Sequence, residues 1–354
     1  MTLLASTLQN ISPQNAEARH RARTRLEMLT MPYWALGRIM DLAEELAGMT
    51  GSLHPPVARK TVITMAADHG ITAQGVSKYP REVTAQMVYN FVQGGAGINA
   101  LARLAGARVL VVDMGVAGDL SALAKEGKII SKRIGAGTRD MTIGPAMTRE
   151  EAVRSVEAGI EVALSLSDST DIIGTGEMGI GNTTSSSALV SVFSGTSVAE
   201  VTGRGTGIDE EQYQHKVRMI EKALAINRPD PDDPLDVLAK VGGFEIGGIA
   251  GLILGAASLK KPVLVDGFIS TAGALIAVHL APKARDYMIA SHRSMESGHR
   301  IALARLGKKP LLDLDLRLGE GTGAALAMHL VEAAVRILTE VATFEEAAVS
   351  KADP

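Results

Sequence analysis

The chain of 354 residues contains no cysteine. This absence excludes disulfide bonds, thiolate nucleophiles and cysteine-bound zinc or iron–sulfur clusters, and it favours a cytoplasmic location. Aromatic residues make up only 3% of the chain, so stacking platforms for single-stranded nucleic acid are not available in number. The formal net charge is −3 and no basic cluster stands out. We therefore expect no nucleic-acid partner.

Long hydrophobic runs are also absent. The most apolar window, residues 246–258, is too short to span a bilayer, which needs about twenty apolar residues. The N-terminus lacks the charged and apolar regions of a secretory signal. We therefore expect no membrane partner and predict that this window forms a buried helix. With 46% hydrophobic residues, the chain has enough apolar side chains for a substantial core.

Short β-branched runs that end in glycine or a polar residue predict buried strands followed by loops. These runs lie near Thr61, Val109, Ile172 and Val263. Alanine-rich helical segments separate them, and one such segment opens with a capping box of Thr148 and Glu151. The alternation predicts an α/β fold with a doubly wound, mostly parallel sheet. Ligands of such sheets bind beyond the carboxyl ends of the strands.

The two ends of the chain look helical, without intervening strands. We predict that residues 1–55 and 310–354 pack together as a small helical domain and that residues 56–309 form the α/β domain. Residues 227–235 carry three prolines and three aspartates and interrupt the larger domain. Their acidic cluster is open to two interpretations, a divalent-ion site or a solvated turn with aspartate caps, and the turn is favoured.

Two glycine-rich segments precede helices of small residues, and each contains a glutamate. Glu177 lies in residues 174–189, and Glu320 lies in residues 317–328. Glycine-rich turns that open a helix usually present their amides to an anion, whereas a carboxylate in that position repels phosphate. The two segments therefore indicate one site with two different functions, anion binding by backbone amides and a separate role for the carboxylates.

The segment around Glu177 suits a single phosphate, because its glycines let the backbone approach a ligand and Asn182 and Thr183 bring donors to a helix start. A tight strand-to-helix turn explains the same spacing. The segment matches neither the dinucleotide fingerprint nor the Walker A pattern. Lys216 follows another glycine loop, residues 203–207, from which it can reach a phosphate. The alternative for Lys216 is an ordinary solvated side chain.

Three further side chains suggest a metal site. His292, Glu296 and His299 share one helical face if residues 290–300 are helical, and such a set suits zinc or iron. A Ser-Gly pair weakens a helix there, so packing and hydrogen bonding around a ligand loop is the favoured interpretation. His69 follows a predicted strand, where it is either a base or, as we favour, a structural histidine.

Four motifs occur in order along the chain: "DHGI…VSKYPREVTAQMVYNFVQGGAGIN", "GTGEMGIGNTTSSSAL", "SHRSMESGHR" and "LDLDLRLGEGTGAALA". With them the chain resembles the nicotinate-nucleotide:dimethylbenzimidazole phosphoribosyltransferases from about residue 30 to residue 342. The resemblance implies transfer of phosphoribose from nicotinate mononucleotide to 5,6-dimethylbenzimidazole, giving α-ribazole 5′-phosphate and nicotinate. It also implies a Rossmann-like sheet, a small helical domain from both chain ends, and a homodimer.

The same resemblance assigns roles to individual residues. Glu320 matches the general base that takes a proton from the acceptor. Glu177 matches a second carboxylate near the base-binding end, where negative charge favours a cationic transition state. Ser77 and Gln86 lie in the segment that lines the acceptor pocket. Contacts to the ribose phosphate are implied for a further set, Gly179, Gly205, Lys216 and Ser294.

No metal and no organic cofactor are expected, because nicotinate leaves from a pyridinium nucleotide as a neutral ring nitrogen and no pyrophosphate needs neutralising. Two rival functions stay open. An NAD-dependent oxidoreductase shares the α/β pattern, although the dinucleotide fingerprint is missing. A non-catalytic protein that binds a nucleotide or a cobamide precursor is the other. The acceptor base also stays open among benzimidazoles, phenols and purines.

Overall fold

The computed structural model describes residues 1–205 and 207–350. Thr206, in the second predicted glycine loop, and residues 351–354, at the end of the predicted helical domain, lie outside the described residues. Within the described residues six strands form one sheet: β1 Lys60–Ala67, β2 Ala107–Gly115, β3 Ile130–Ser131, β4 Ile172–Met178, β5 Val263–Val265 and β6 Met288–Ala290. Their order is β3-β2-β1-β4-β5-β6, and every neighbouring pair is parallel. The predicted doubly wound α/β fold is confirmed.

Helices cover both faces of the sheet. In the described residues they are α1 Leu3–Asn10, α2 Ala16–Leu26, α3 Arg38–Thr50, α4 Val83–Gln93, α5 Gly97–Ala105, α6 Ser121–Lys125, α7 Arg149–Ser165, α8 Asn182–Ser194, α9 Val198–Val201, α10 Glu210–Asn227, α11 Pro234–Val241, α12 Phe244–Ser258, α13 Phe268–Leu280, α14 Ser297–Leu306 and α15 Thr322–Glu340. Two short 3₁₀ helices, Gly70–Gln74 and Pro282–Tyr287, complete the list.

The four predicted strands are β1, β2, β4 and β5. Every residue of β1 is buried, as expected for a central strand with helices on both faces. Strands β3 and β6 were not predicted, because two and three residues are too few to give a pattern. The sheet reverses its strand order between β1 and β4, and this reversal is where an open α/β sheet leaves a crevice for ligands.

Local signals in the sequence are realised at three helices. Thr148 caps α7 by accepting a hydrogen bond from the amide of Glu151, whose carboxylate accepts one from the amide of Thr148. The predicted buried helix at residues 246–258 is α12, which is buried along nearly its whole length. Asp233 caps α11, as the interpretation of residues 227–235 as a turn with aspartate caps requires.

Both ends of the chain are helical, as predicted. Helix α15 packs against α2 and α3, and it also contacts β1, β4 and β5 of the sheet. The division into a helical domain and an α/β domain stays a prediction. By length and composition α15 is apolar enough to cross a membrane, but 56% of its most apolar window is buried inside the protein, and a core helix passes the same test.

Glycines allow α7 and α12 to touch backbone to backbone. A Cβ atom at Gly251 would lie only 1.8 Å from the carbonyl oxygen of Val156. We therefore expect Gly251→Ala to lower the free energy of unfolding by about 2–3 kcal/mol, measured by urea denaturation, because the two helices must separate. Gly144→Ala is the control, since a Cβ atom there meets nothing within 4 Å. An equal effect of the two substitutions would contradict the steric explanation.

Candidate active site

A cleft of about 740 Å³ opens at the carboxyl edge of the sheet. It is bounded by the segments that follow β4 and β6, by the start of α13, and by the turn that precedes α15. Seven of the ten predicted site residues line this cleft: Glu177, Gly179, Asn182, Thr183, Gly205, Ser294 and Glu320. The sheet thus brings together glycine-rich segments that are more than 100 residues apart in the sequence.

Glu320 lies in an unusual turn. The φ angles of Gly319, Glu320 and Gly321 are 80°, 64° and 97°, so three successive residues adopt the left-handed conformation. This conformation suits glycine but strains a residue with a side chain. Glu320 is only 5% exposed, and its Oε2 accepts a hydrogen bond of 3.0 Å from the amide of Ile98 in the first turn of α5. The anion that this helix end binds is therefore a carboxylate of the protein.

Burial raises the pKa of Glu320 above the ordinary glutamate value, and the amide of Ile98 partly opposes this rise. Neighbouring glycines make room for the turn. A Cβ atom at Gly176 would lie 2.3 Å from the carbonyl oxygen of Glu320, and one at Gly97 would lie 3.4 Å from its Oε2. The geometry leaves Glu320 as a buried carboxyl group at the cleft wall, with a pKa above the ordinary glutamate value, so it accepts a proton more readily than an exposed glutamate does.

Glu177 is the second carboxyl group in the cleft. Its Oε2 accepts a hydrogen bond from the side-chain amide of Asn182, and a Cβ atom at Gly319 would lie 2.1 Å from its Oε1. Glu177 therefore lies directly beside the turn that carries Glu320. Burial raises the pKa of Glu177 to about 8, and the nearby carboxyl groups of Asp266, Glu245 and Glu320 contribute to this rise, whereas Asn182 opposes it. The empty cleft therefore favours the protonated form of Glu177 more than solvent does.

The other end of the cleft holds a buried lysine, Lys216, which lies behind the lining residues and close to the carboxyl group of Glu296. Helix α8 begins at Asn182 after Gly181, which has no side chain with which to cap the helix. The Nζ atom of Lys216 donates a 2.8 Å hydrogen bond to Oγ1 of Thr183 in the first turn of α8. Lys216 is only 1% exposed, so the alternative of a solvated lysine is wrong. Burial lowers the pKa of Lys216 to about 8.

The loop that contains Gly205 lies against this lysine. A Cβ atom at Gly205 would lie 3.1 Å from Oγ1 of Thr183 and 3.4 Å from Nζ of Lys216. A helix N-terminus, a hydroxyl group, a glycine loop and a buried ammonium group therefore meet at one place. These groups are the donors that a phosphate ester binds in proteins.

The predicted helical face of His292, Glu296 and His299 does not exist. His292 follows β6, whereas α14 begins only at Ser297 with Glu296 as its N-cap residue. The backbone turns at this point because Nδ1 of His299 accepts a hydrogen bond from the amide of Ser294. No group of three metal-binding side chains occurs in residues 1–205 and 207–350. The favoured interpretation, hydrogen bonding around a ligand loop, fits this arrangement.

His69 lies outside the cleft, completely buried between two helices. Its Nε2 is 2.6 Å from Oε1 of Glu245, and its Nδ1 is 3.1 Å from Oγ of Ser185. No substrate can reach this ring, so His69 is the structural histidine that we favoured.

Ser77 and Gln86 are not among the residues that line the cleft. Oγ of Ser77 accepts a hydrogen bond from the amide of Tyr79, and Gln86 is exposed on α4. The residues of α4 that face the cleft are Val83 and Met87, one helical turn apart. The roles of Ser77 and Gln86 in acceptor binding stay predictions.

Sequence reasoning missed several residues that shape the cleft. Val83 and Met87 form an apolar wall with Tyr79 and Leu318. The i, i+4 spacing of Val83 and Met87 in α4 was the sequence signal that could have indicated this wall. Asp266 directly follows β5, and an acidic residue at the end of a buried strand was a signal of the same kind. Burial raises the pKa of Asp266 to about 7.

Comparison with known proteins identifies the family. A phosphoribosyltransferase family model matches residues 11–349. The chain is 64% identical over 351 residues to the nicotinate-nucleotide–dimethylbenzimidazole phosphoribosyltransferase of Syntrophotalea carbinolica, with 99% of each chain covered. It is 56% identical over 354 residues to the protein of the same name from Geobacter sulfurreducens, with both chains covered completely.

A solved structure agrees with the sequence comparisons. The crystal structure of the nicotinate-nucleotide–dimethylbenzimidazole phosphoribosyltransferase from Thermus thermophilus superimposes with a TM-score of 0.90 at 45% identity, covering 96% of this chain and all of the other. Sequence and fold therefore lead to the same conclusion: the chain belongs to the nicotinate-nucleotide–dimethylbenzimidazole phosphoribosyltransferase family.

Proposed function

We propose that the protein transfers phosphoribose from nicotinate mononucleotide to 5,6-dimethylbenzimidazole, giving α-ribazole 5′-phosphate and nicotinate. The observation that carries this proposal is the polarity of the cleft. Lys216 and the first turn of α8 offer donors to a phosphate at one end, and the buried carboxyl group of Glu320 lies beside apolar side chains at the other. This arrangement fits an anionic donor and a flat, largely apolar acceptor with one acidic N–H.

In this reaction one ring nitrogen of the acceptor attacks C1′ of the ribose while the bond from C1′ to the pyridinium nitrogen breaks. The bonding electrons stay with nicotinate, whose ring nitrogen becomes neutral. Attack makes the N–H on the second acceptor nitrogen acidic, and the carboxylate of Glu320 takes this proton. Ser77 and Gln86 are proposed to contact the acceptor, and Gly179, Gly205, Lys216 and Ser294 to contact the ribose phosphate.

Glu177 is proposed to respond to the donor. The pyridinium nitrogen of the donor is positively charged, and a positive charge close to a carboxyl group lowers its pKa. A donor bound beside Glu177 therefore favours loss of its proton, and the resulting carboxylate faces the positive charge that develops on the ribose in the transition state. Because the leaving nitrogen is already positively charged, the proposed reaction includes no metal ion and no organic cofactor.

The proposal also covers the location, the oligomeric state and the partners of the enzyme. We propose a cytoplasmic homodimer that binds neither nucleic acid nor membranes. Support for the cytoplasm comes from the absence of cysteine, and support for the absence of nucleic-acid binding comes from the net charge of −3. The homodimer rests on the family resemblance.

Incubation with nicotinate mononucleotide and a panel of acceptors tests the function. The panel contains 5,6-dimethylbenzimidazole, benzimidazole, a phenol and adenine, and mass analysis identifies the products. We expect nicotinate and a ribosyl-base phosphate to appear in equal amounts only when an acceptor is present. A protein that binds the nucleotide without turnover would instead support the non-catalytic alternative.

The stereochemistry of the product is a further prediction. A ribose whose phosphate is anchored at Lys216 cannot turn over in the cleft, so an acceptor delivered beside Glu320 attacks the face opposite to the departing nicotinate. A single displacement inverts the configuration, and the β-configured donor gives an α-nucleotide. Proton NMR of the anomeric coupling measures the outcome. A β-configured product, or a burst of nicotinate without acceptor, would indicate a covalent intermediate instead.

A further inference from the structure

Helix α15 begins directly after Glu320, and its N-terminus binds a buried side chain from another part of the sheet. Asp266, at the end of β5, is 1% exposed. Its Oδ2 accepts a 3.2 Å hydrogen bond from the amide of Gly321, and its Oδ1 accepts one of 3.0 Å from the amide of Ala324. Asp266 therefore caps α15 from a position 55 residues away from Gly321 in the sequence.

The turn that carries Glu320 is held from a second side. Oγ1 of Thr64, on β1, donates a 3.0 Å hydrogen bond to the carbonyl oxygen of Glu320. Thr64 is completely buried. Glu320 has a φ angle of 64°, and a side-chain residue keeps such a conformation only when its surroundings impose it. Thr64 and Asp266 therefore hold the two polar groups of one peptide unit, the carbonyl of Glu320 and the amide of Gly321, which directly follows this strained residue.

We propose that Asp266 is a positioning residue for proton transfer: it holds the backbone of residues 319–321 in the left-handed turn that directs the carboxyl group of Glu320 into the cleft. The proposal rests on the proposed function, since it assigns Glu320 the role of general base. Asp266 is not among the residues that line the cleft, so it does not act on the substrate directly, and its two backbone hydrogen bonds connect it to the turn of Glu320. A shift of the base by about 1 Å is enough to cost roughly a hundredfold in rate.

The substitution Asp266→Asn tests the proposal. Asparagine keeps one acceptor oxygen and replaces the other by an NH₂ group, so one of the two capping hydrogen bonds is lost. We expect kcat to fall by about 10–100-fold, because the general base is no longer held in place. The donor's KM should change less than about threefold, because the phosphate end of the cleft is untouched. A role limited to folding would not separate kcat from KM in this way.

Asp233→Asn is the matched control. Asp233 also caps a helix, since its Oδ1 accepts hydrogen bonds from two amides, those of Leu235 and Asp236, but it precedes α11 and is not among the residues that line the cleft. We expect its kcat to stay within about twofold of the wild type, as for substitutions remote from the reacting groups. An equal loss in both variants would overturn the proposal, since helix capping in general would then explain it.

A double-mutant cycle with Glu320→Gln decides whether Asp266 acts through the base. Product formation in the Glu320→Gln background is followed by mass analysis over long incubations. If the proposal is correct, most of the fold-loss caused by Asp266→Asn disappears in this background, because no base remains to be positioned and only the influence of Asp266 on the pKa of Glu177 persists. The same fold-loss in both backgrounds would overturn it. Failure of the proposed function is distinguishable, since the wild type itself would then show no turnover of nicotinate mononucleotide.

Thr64→Val provides a second route if Asp266→Asn does not fold. Valine has nearly the shape of threonine but lacks the hydroxyl group that bonds to Glu320. We expect a smaller loss of kcat, about 3–10-fold, which again disappears in the Glu320→Gln background. A loss that persists in that background would overturn the proposal, as would an unchanged kcat in both the Thr64 and the Asp266 variants.

Discussion

Replacing Glu320 by glutamine should lower kcat at least about a hundredfold, the usual contribution of a positioned general base. Glutamine keeps the size of the side chain and can still accept a hydrogen bond from the amide of Ile98, but it cannot take a proton from the acceptor. The donor should bind nearly as before. Steady-state kinetics with 5,6-dimethylbenzimidazole and nicotinate mononucleotide gives kcat and KM separately.

The pH dependence of kcat provides an independent check. Because burial raises the pKa of Glu320, the wild type should lose activity as pH falls through a value above the ordinary glutamate range. This limb follows the fraction of ionised Glu320 and should be absent from the residual activity of Glu320→Gln. Turnover by this variant close to that of the wild type would remove Glu320 from the role of general base.

Removal of the donor's phosphate should have an effect of similar or larger size. Nicotinate riboside cannot bond to Lys216, to Thr183 or to the first turn of α8. Losing several charge-assisted hydrogen bonds of about 1.5–3 kcal/mol each should lower kcat/KM by roughly a hundred- to a thousandfold relative to the nucleotide. Competition of the two donors for one acceptor measures this ratio directly.

The lysine can be tested separately. Lys216→Met keeps an unbranched side chain but removes the charge. It should therefore weaken binding of the nucleotide strongly and binding of the riboside hardly at all. Lys222→Met is the control, because Lys222 is exposed on the same helix, α10. In the empty enzyme the pKa of Lys216 is about 8, so affinity for the nucleotide should fall as pH rises above this value. Equal efficiency of riboside and nucleotide in the wild type would remove the phosphate assignment.

The sequence predicts the sheet well because β1, β2, β4 and β5 are runs of apolar residues that end in glycine or a polar residue. Such runs are a local property of the chain. The short strands β3 and β6 exist because they pair with β2 and β5, and a segment of two or three residues does not reveal such pairing. The same distinction applies to helices, since the capping box of Thr148 involves only four residues.

The sequence predicts most residues of the site but not the partners that these residues contact. Glycine patterns and the family resemblance place Glu177 and Glu320 in one cleft. The burial of Lys216 depends on how α10 packs against α8, and the partner of Glu320, Ile98, is 222 residues away. For His292 the sequence suggests an arrangement that the structure lacks. The spacing to His299 suggests a shared helical face, but the backbone turns where the amide of Ser294 donates a hydrogen bond to His299.

The three helix ends around the cleft have a consequence for the direction in which the donor can enter. At α5 the amide of Ile98 binds the carboxyl group of Glu320, and at α15 the amide of Ala324 binds that of Asp266. Helix α8 follows a glycine, Gly181, and Thr183 in its first turn accepts a hydrogen bond from Lys216. Nicotinate mononucleotide is anionic at both extremities, since it carries a phosphate and a pyridine carboxylate. The phosphate carries more negative charge than the carboxylate and needs more donors, whereas two of these three helix ends are already occupied by carboxyl groups of the protein. A reversed donor would place its phosphate beside those carboxyl groups, so the cleft selects one polarity of its substrate before any chemistry begins.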